Sequence, residues 1–314
     1  MSIPVTTENF VRAETDRYFA SLAADAGGGN RWKHNREPAS VEHQTVIRMN
    51  RDTLYSFAIV DISDGATVTL PDAGDRYLSV MVVNQDHYIN EVFHGAGRHE
   101  LTVDRFDTPY VSLAARTLVD ASDPADLAAV AAIQDGLKLE AASARPFEPE
   151  DFDRASLDAV RAELLGRASG GLDTKGMFGR REDVDPERHL IGTAVGWGGL
   201  PQTEAYYTGG PTDMPMGEYR LTARDVPVDA FWSVSVYDKD GFFKPNDRGA
   251  YNVNSVMAKK DPDGAITVHF GGCEDDRVNC LPIMEGWNYA VRLYQPRQAI
   301  LDGSYRFPEP EKIA

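Results

Sequence analysis

The run Phe231-Trp232-Ser233-Val234-Ser235-Val236-Tyr237-Asp238 alternates apolar and polar side chains more cleanly than any other stretch of the chain. In an extended strand, successive side chains point to opposite faces. Trp232, Val234 and Val236 therefore share one face, and Ser233, Ser235 and Tyr237 share the other. A strand of this kind needs neighbours for its ladder bonds and an apolar layer against one face. It commits this part of the chain to a sheet stacked on a second layer.

Other short runs repeat the theme. Ser56 to Ile62, Ala66 to Leu70, Tyr77 to Val83, Asn84 to His94, Arg98 to Val103 and Thr108 to Arg116 read as strands, with Thr45 to Met49 before them. Glu218 to Ala223, Ala265 to Phe270 and Asn288 to Tyr294 read the same way in the second half. Turn pairs such as Asp64-Gly65, Asp240-Gly241 and Asp263-Gly264 separate them, which indicates antiparallel sandwiches or barrels. Helical spacing occurs at Thr7 to Ala24, at Ala125 to Ala142, from Glu150 to Arg167 with Ser169-Gly170-Gly171 closing it, and at Arg181 to Leu190. Residues Gly192 to Gly217 read as a long glycine- and aromatic-rich loop, of the kind that is functional or wraps a neighbour. The layout predicts a mainly β chain: two jelly-roll-like antiparallel sandwiches, a helical insert between them, and an N-terminal helix. The expected divisions are 1–120, 121–191 and 192–314.

Charge narrows the function classes. The 314 residues carry 49 acidic and 32 basic side chains, a formal net charge of −17. A nucleic-acid partner would require a basic surface, so none is expected. There is no run of eighteen apolar residues to span a membrane and no leader-like N-terminus, so the expectation is a cytoplasmic protein, with an exported mature form as the alternative. Cys273 and Cys280 are the only cysteines. They read either as two reduced thiols, the reading that goes with the cytosol, or as one disulfide closing a short loop.

Polar residues are densest at Asn50-Arg51-Asp52-Thr53-Leu54-Tyr55-Ser56, immediately before an apolar strand. Together with Pro71-Asp72-Ala73-Gly74-Asp75-Arg76-Tyr77, this run resembles the domain of unknown function numbered 1254. Phe231 to Asp238, Asp263 to Val268, Val291-Arg292-Leu293-Tyr294-Gln295-Pro296 and Leu301-Asp302-Gly303 resemble the domain of unknown function numbered 1214. The resemblance implies antiparallel β architecture of jelly-roll type in both halves. Relatives tend to have Asn-Trp-Leu-Pro where this chain has Asn279-Cys280-Leu281-Pro282, so Trp287 is expected to take over that packing role. Some relatives carry a carboxylesterase label, but no Gly-x-Ser-x-Gly elbow is present to support it.

The candidate catalytic residues are Arg51, Asp52, Tyr55, Tyr237 and Arg292. A guanidinium fork can clamp an oxyanion, a carboxylate can act as base, and a phenol can donate to a developing negative charge. The structural alternative makes Arg51 and Asp52 a buried ion pair fixing the start of a strand. Asn50, Trp197, Tyr206 and Asp238 are the candidate ligand-binding residues. His43, His87, His94, His99 and His269 lack the spacing of a jelly-roll metal site, and His189 suits a helix end. No metal site is assigned and no cofactor is named. The expectation is an enzyme acting on a small polar or carbonyl-bearing molecule by acid–base chemistry, hydrolysis included, in a cleft between the β halves. A small-ligand or carbohydrate-binding module and a structural, homo-oligomeric assembly protein are the alternatives.

Overall fold

The computed structural model describes residues 2–44, 47–168, 173–211 and 213–313. Its contacts divide the chain into two units. The first is Met1–Arg36, Leu54–Leu118 and Leu127–Pro201, and the second is Glu37–Thr53, Val119–Asp126 and Gln202–Ala314. The helices expected as an insert group with the first unit. The segment Glu37–Thr53, read as part of the first β domain, groups with the second. The chain is mainly β and its sheets are antiparallel apart from one short parallel pairing.

In the first unit, helix α1 (Phe10–Asp25) precedes β1 (Lys33–His34), β2 (Thr53–Asp61), β3 (Ala66–Leu70), β4 (Leu78–Asn84), β5 (Ile89–His94) and β6 (Gly97–Leu101). Then come α2 (Val103–Phe106), β7 (Tyr110–Leu118), α3 (Pro124–Gly136), β8 (Lys138–Ala141), α4 (Arg154–Arg167) and α5 (Pro186–Gly196). One sheet runs β1-β2-β7-β4-β5 and the other β6-β3-β8. Both sheets send alternate residues into one core: Ala58, Val60, Val80, Val82, Leu113 and Ala115 from the first, Ala66, Val68, Leu70 and Leu101 from the second. Each such valine, fully buried, contributes about 1.5–3 kcal/mol. That shared core is what holds the two sheets face to face. The helices add a satellite cluster in which Phe10 and Ala13 of α1 pack with Leu157 and Leu164 of α4.

Several boundaries differ from the sequence reading. Asn84 to His94 is not one strand: His87 sits in a turn with φ +60, stabilised by the Asn84 side chain accepting from the backbone N–H groups of Asp86 and Tyr88. The short polar side chain offers the backbone an alternative to the ladder. Helix α3 stops at Gly136, and Lys138–Ala141 becomes an edge strand on β3. The predicted strand at 45–49 falls partly on residues 45–46, outside the described residues, while Ile47 and Arg48 form a turn. The predicted helix stop at residues 169–171 lies outside them as well.

The second unit contains β9 (Ala205–Gly209), β10 (Tyr219–Ala223), β11 (Trp232–Tyr237), β12 (Asn252–Asn254), β13 (Ile266–Phe270), β14 (Cys280–Leu281), β15 (Asn288–Tyr294), α6 (Gln298–Leu301) and β16 (Glu311–Lys312). Its sheets run β12-β11-β15-β9 and β14-β13-β10-β16. Strand β9 lies inside what the sequence suggested was loop. It is there because Ala205 to Gly209 completes the ladder of β15, with Tyr207 opposite Arg292. Trp232, Val234 and Val236 meet Leu221, Val268 and Phe270 of the facing sheet around the fully buried Trp287. Trp287 donates to the Pro215 carbonyl at 3.1 Å, which satisfies its one polar atom. Cys273 and Cys280 are joined as a disulfide that ties a short helical turn to β14. The reduced-thiol reading is thereby corrected.

Candidate functional site

The alternation of β11 that fixes the apolar core also fixes a polar face on the reverse side. Ser233, Ser235 and Tyr237 lie there, with Asn252 and Asn254 on β12 and Arg292 and Tyr294 on β15. The ladders set the spacing: Ser233 is paired with Arg292, and Ser235 with Asn252. This face is not left to water. Residues from the Glu37–Thr53 segment of the same unit bond to it. Asn50 donates to the Tyr294 hydroxyl at 2.8 Å, and its side-chain oxygen accepts from the Asp52 backbone N–H at 2.8 Å.

Asp52 is 0% exposed. Its two carboxylate oxygens accept from Ser233 Oγ at 2.5 Å and Asn252 Nδ2 at 2.6 Å. Removing a carboxylate from water costs several kcal/mol, and each hydrogen bond to a charge returns about 1.5–3 kcal/mol. Burial wins, and the Asp52 carboxyl is pushed above its ordinary range despite Arg292, Ser233 and Asn252, which all pull the other way.

Arg292 is 3% exposed. It donates from Nη1 to Ser235 Oγ at 3.0 Å, and from Nη2 to the Arg48 carbonyl at 2.7 Å and the Tyr237 hydroxyl at 2.8 Å. Tyr237 in turn donates to the Met49 carbonyl at 2.9 Å. Burial opposes the Arg292 charge, but Tyr237, Tyr294 and Asp52 more than offset it, and its proton is held more tightly than usual. Arg51 is half-buried, lies over the Tyr251 ring at 5.0 Å and donates to the Ala39 carbonyl. It is not paired with Asp52, so in place of the ion pair of the structural alternative the two residues have separate sets of partners.

The remaining candidates fall elsewhere. Tyr55 lies on β2 of the first unit, stacked on Phe57 and beneath the Arg116 guanidinium at 5.3 Å. Trp197, also in the first unit, stacks on Tyr18 at 4.4 Å and on His87 at 5.4 Å and donates to Thr15 Oγ1. Tyr206 packs against the second core. Asp238 shapes the turn after β11, accepting from the backbone N–H groups of Asp240 and Phe242. His87 is fully buried with both nitrogens engaged. Its Nε2 accepts from the Gly198 N–H at 2.9 Å, so Nδ1 carries the proton toward Thr193 Oγ1 at 2.8 Å, and Thr193 donates onward to the His189 carbonyl. Among the described residues no three His, Cys, Asp or Glu side chains are grouped to hold a metal ion, and no helix is long and apolar enough to cross a membrane. Sequence reasoning missed Arg48, Ser233 and Asn252 as site residues. The polar parity of Ser233 with Tyr237 on one strand was a usable signal for the serine. Nothing local marks Arg48 or Asn252.

Comparison with known proteins gives two family matches. Residues 29–102 match the protein of unknown function DUF1254, and residues 207–298 match the protein of unknown function DUF1214. The crystal structure of the VPA0106 protein from Vibrio parahaemolyticus is similar over 98% of each chain, at TM-score 0.74 and 18% identity. A putative uncharacterized protein from Burkholderia cenocepacia is similar over 96% of this chain and 87% of that one, at TM-score 0.56 and 16% identity. At such identities the likeness is one of fold. No curated protein matches the chain.

Proposed function

We propose that this chain, which pairs the DUF1254 and DUF1214 domains, is an enzyme acting on a small carbonyl-bearing molecule by acid–base chemistry at the polar face of its second unit. The observation that carries this reading is Asp52: a fully buried carboxylate, raised by desolvation, held by Ser233 and Asn252 on the sheet face that also carries Arg292 and Tyr237. A carboxylate whose proton affinity is raised by burial is a stronger base than an ordinary one, as proton transfer from carbon requires. In the reaction, Asp52 takes the proton from the carbon next to the substrate carbonyl. The electron pair moves onto the carbonyl oxygen, and an N–H of Arg292 stabilises the charge that develops there. The proton then returns from Asp52 to carbon or to a departing group. Asp52 is closed to solvent, while Arg48, Arg51 and Asn252 of the same unit are half-buried.

The test is proton NMR in deuterium oxide on a panel of small 2-oxo and 3-oxo acids, with 4-nitrophenyl acetate hydrolysis measured alongside. Wild-type protein should wash deuterium into the carbon next to the carbonyl of at least one compound, and Asp52→Asn should lower that rate by about a hundredfold or more. Equal rates in wild type and Asp52→Asn, or no reaction across the panel, would sink the reading.

A further inference from the structure

The chain has 49 acidic and 32 basic residues, so arginines have no shortage of carboxylates to pair with. Many do pair: Arg12 with Asp86, Arg161 with Glu14, and Arg277 with both Glu218 and Asp275. Arg48 and Arg292 do not. Neither has a carboxylate within ion-pair distance among the described residues, although Arg292 is 3% exposed, Arg48 is half-buried, and the Arg48 backbone carbonyl accepts from the Arg292 guanidinium in the second unit. All the acceptors of Arg292 are neutral oxygens of Ser235, Arg48, Met49 and Tyr237. The nearby carboxylate of Asp52 is committed to Ser233 and Asn252.

Arg48 carries a second anomaly. Its Nε is buried and has no hydrogen-bond partner among the described residues. A buried N–H of a cation without an acceptor costs more than that of a neutral group. The backbone supports this placement at a further cost. Arg48 has φ +54, a left-handed conformation that disfavours any residue with a Cβ. It is held from both sides: its N–H donates to the Gly241 carbonyl at 2.7 Å, and its own carbonyl accepts from Arg292. Strain of this sort persists where the surroundings fix it, and it concentrates at ligand clamps. Burial first, and then the Arg292 charge, both act against the charge on Arg48, with only Tyr237 in its favour.

We infer that Arg48 and Arg292, with the Tyr237 hydroxyl beside them, form a binding site for a small oxyanion, a carboxylate or a phosphate group. An oxyanion supplies an acceptor to Arg48 Nε and a counter-charge to Arg48 and Arg292, whose charges oppose each other and whose planar forks suit such groups. Arg51, half-buried over Tyr251, adds positive charge from the same segment. The inference rests on the site proposed above and names its substrate class: an anionic carbonyl compound, anchored by its charged end at the arginines.

Isothermal titration with malonate and with inorganic phosphate tests it without any turnover. Wild-type protein should bind one or both, more weakly as ionic strength rises. Arg48→Met keeps an unbranched stem and removes the charge, and it should weaken binding about tenfold or more. Arg48→Lys restores the charge without the fork and should recover part of the loss. Asp52→Asn should still bind, because it removes a negative charge and leaves both arginines in place. Tighter binding of malonate identifies a carboxylate ligand, and tighter binding of phosphate identifies a phosphate ligand. Circular dichroism on each variant confirms the fold. Arg48→Met binding as wild type, or neither anion binding wild type, would overturn the inference. A failure of the acid–base reading appears separately, as Asp52→Asn without effect on reaction while malonate or phosphate still binds.

Discussion

Asp52 and Asp16 show what one buried carboxylate does in this protein. Asp16 of α1 is 3% exposed, and its carboxylate accepts from Gln85 Nε2 at 3.4 Å. Desolvation pushes its carboxyl up from 3.8 to about 6. A folded-state value above the unfolded one means that the folded protein binds the proton more tightly. The stabilising contribution is therefore complete below 3.8 and is lost as pH rises through about 6. Asp16→Asn should raise the melting temperature above pH 6 and change it little well below pH 4, read by thermal denaturation across that range. Asp52 carries the same sign, since burial raises it too. At this scale the sequence was informative about identity and silent about partners. The dense run from Asn50 to Ser56 was visible as a site, but its members separate by parity and position. Asp52 bonds to residues about 180 and 200 positions away in the chain, and no local pattern encodes such a pairing.

At the scale of elements, the ladders do the positioning. Parity along β11 was readable from eight letters, and it correctly placed Trp232, Val234 and Val236 in the core. Strand β9 was not readable. Tyr206, Tyr207 and Thr208 favour a strand, but the run is short and flanked by glycine, and it is a strand because β15 offers it an edge. His87 shows the reverse case. An apolar and polar alternation suggested a strand, yet a side-chain-stabilised turn intervened, and the imidazole became a connector between β4, α5 and Gly198. The chain after α5 is packed closely enough to be tested. A Cβ at Gly199 would meet the Phe178 ring at 2.5 Å. Overpacking of this kind costs about 1–3 kcal/mol, so Gly199→Ala should lower the urea midpoint while leaving the slope unchanged.

For the whole molecule, the disulfide is the feature that the sequence left open. Cys273 and Cys280 close a short loop in the second unit, and closure of a loop this size restricts the unfolded chain by about 2–3 kcal/mol. Dithiothreitol, or Cys273→Ser with Cys280→Ser, should lower the midpoint of the second unit's unfolding by an amount of that order. An unchanged melting profile under reduction would show that the bond contributes nothing. Such a bond persists in an oxidising setting, and the cytoplasmic expectation gains nothing from the fold. The sequence by itself determined the mainly β architecture, the N-terminal helix and the paired domains, because alternation, turn residues and helical spacing are local and repeat every few residues. The tertiary structure decided that Asp52 meets Ser233 and Asn252, that Arg48 lies beside Arg292, and that the two cysteines meet. Those contacts depend on chain reversals and on sheet faces assembled from distant segments, whose geometry is set by the packed core rather than by any neighbouring residue.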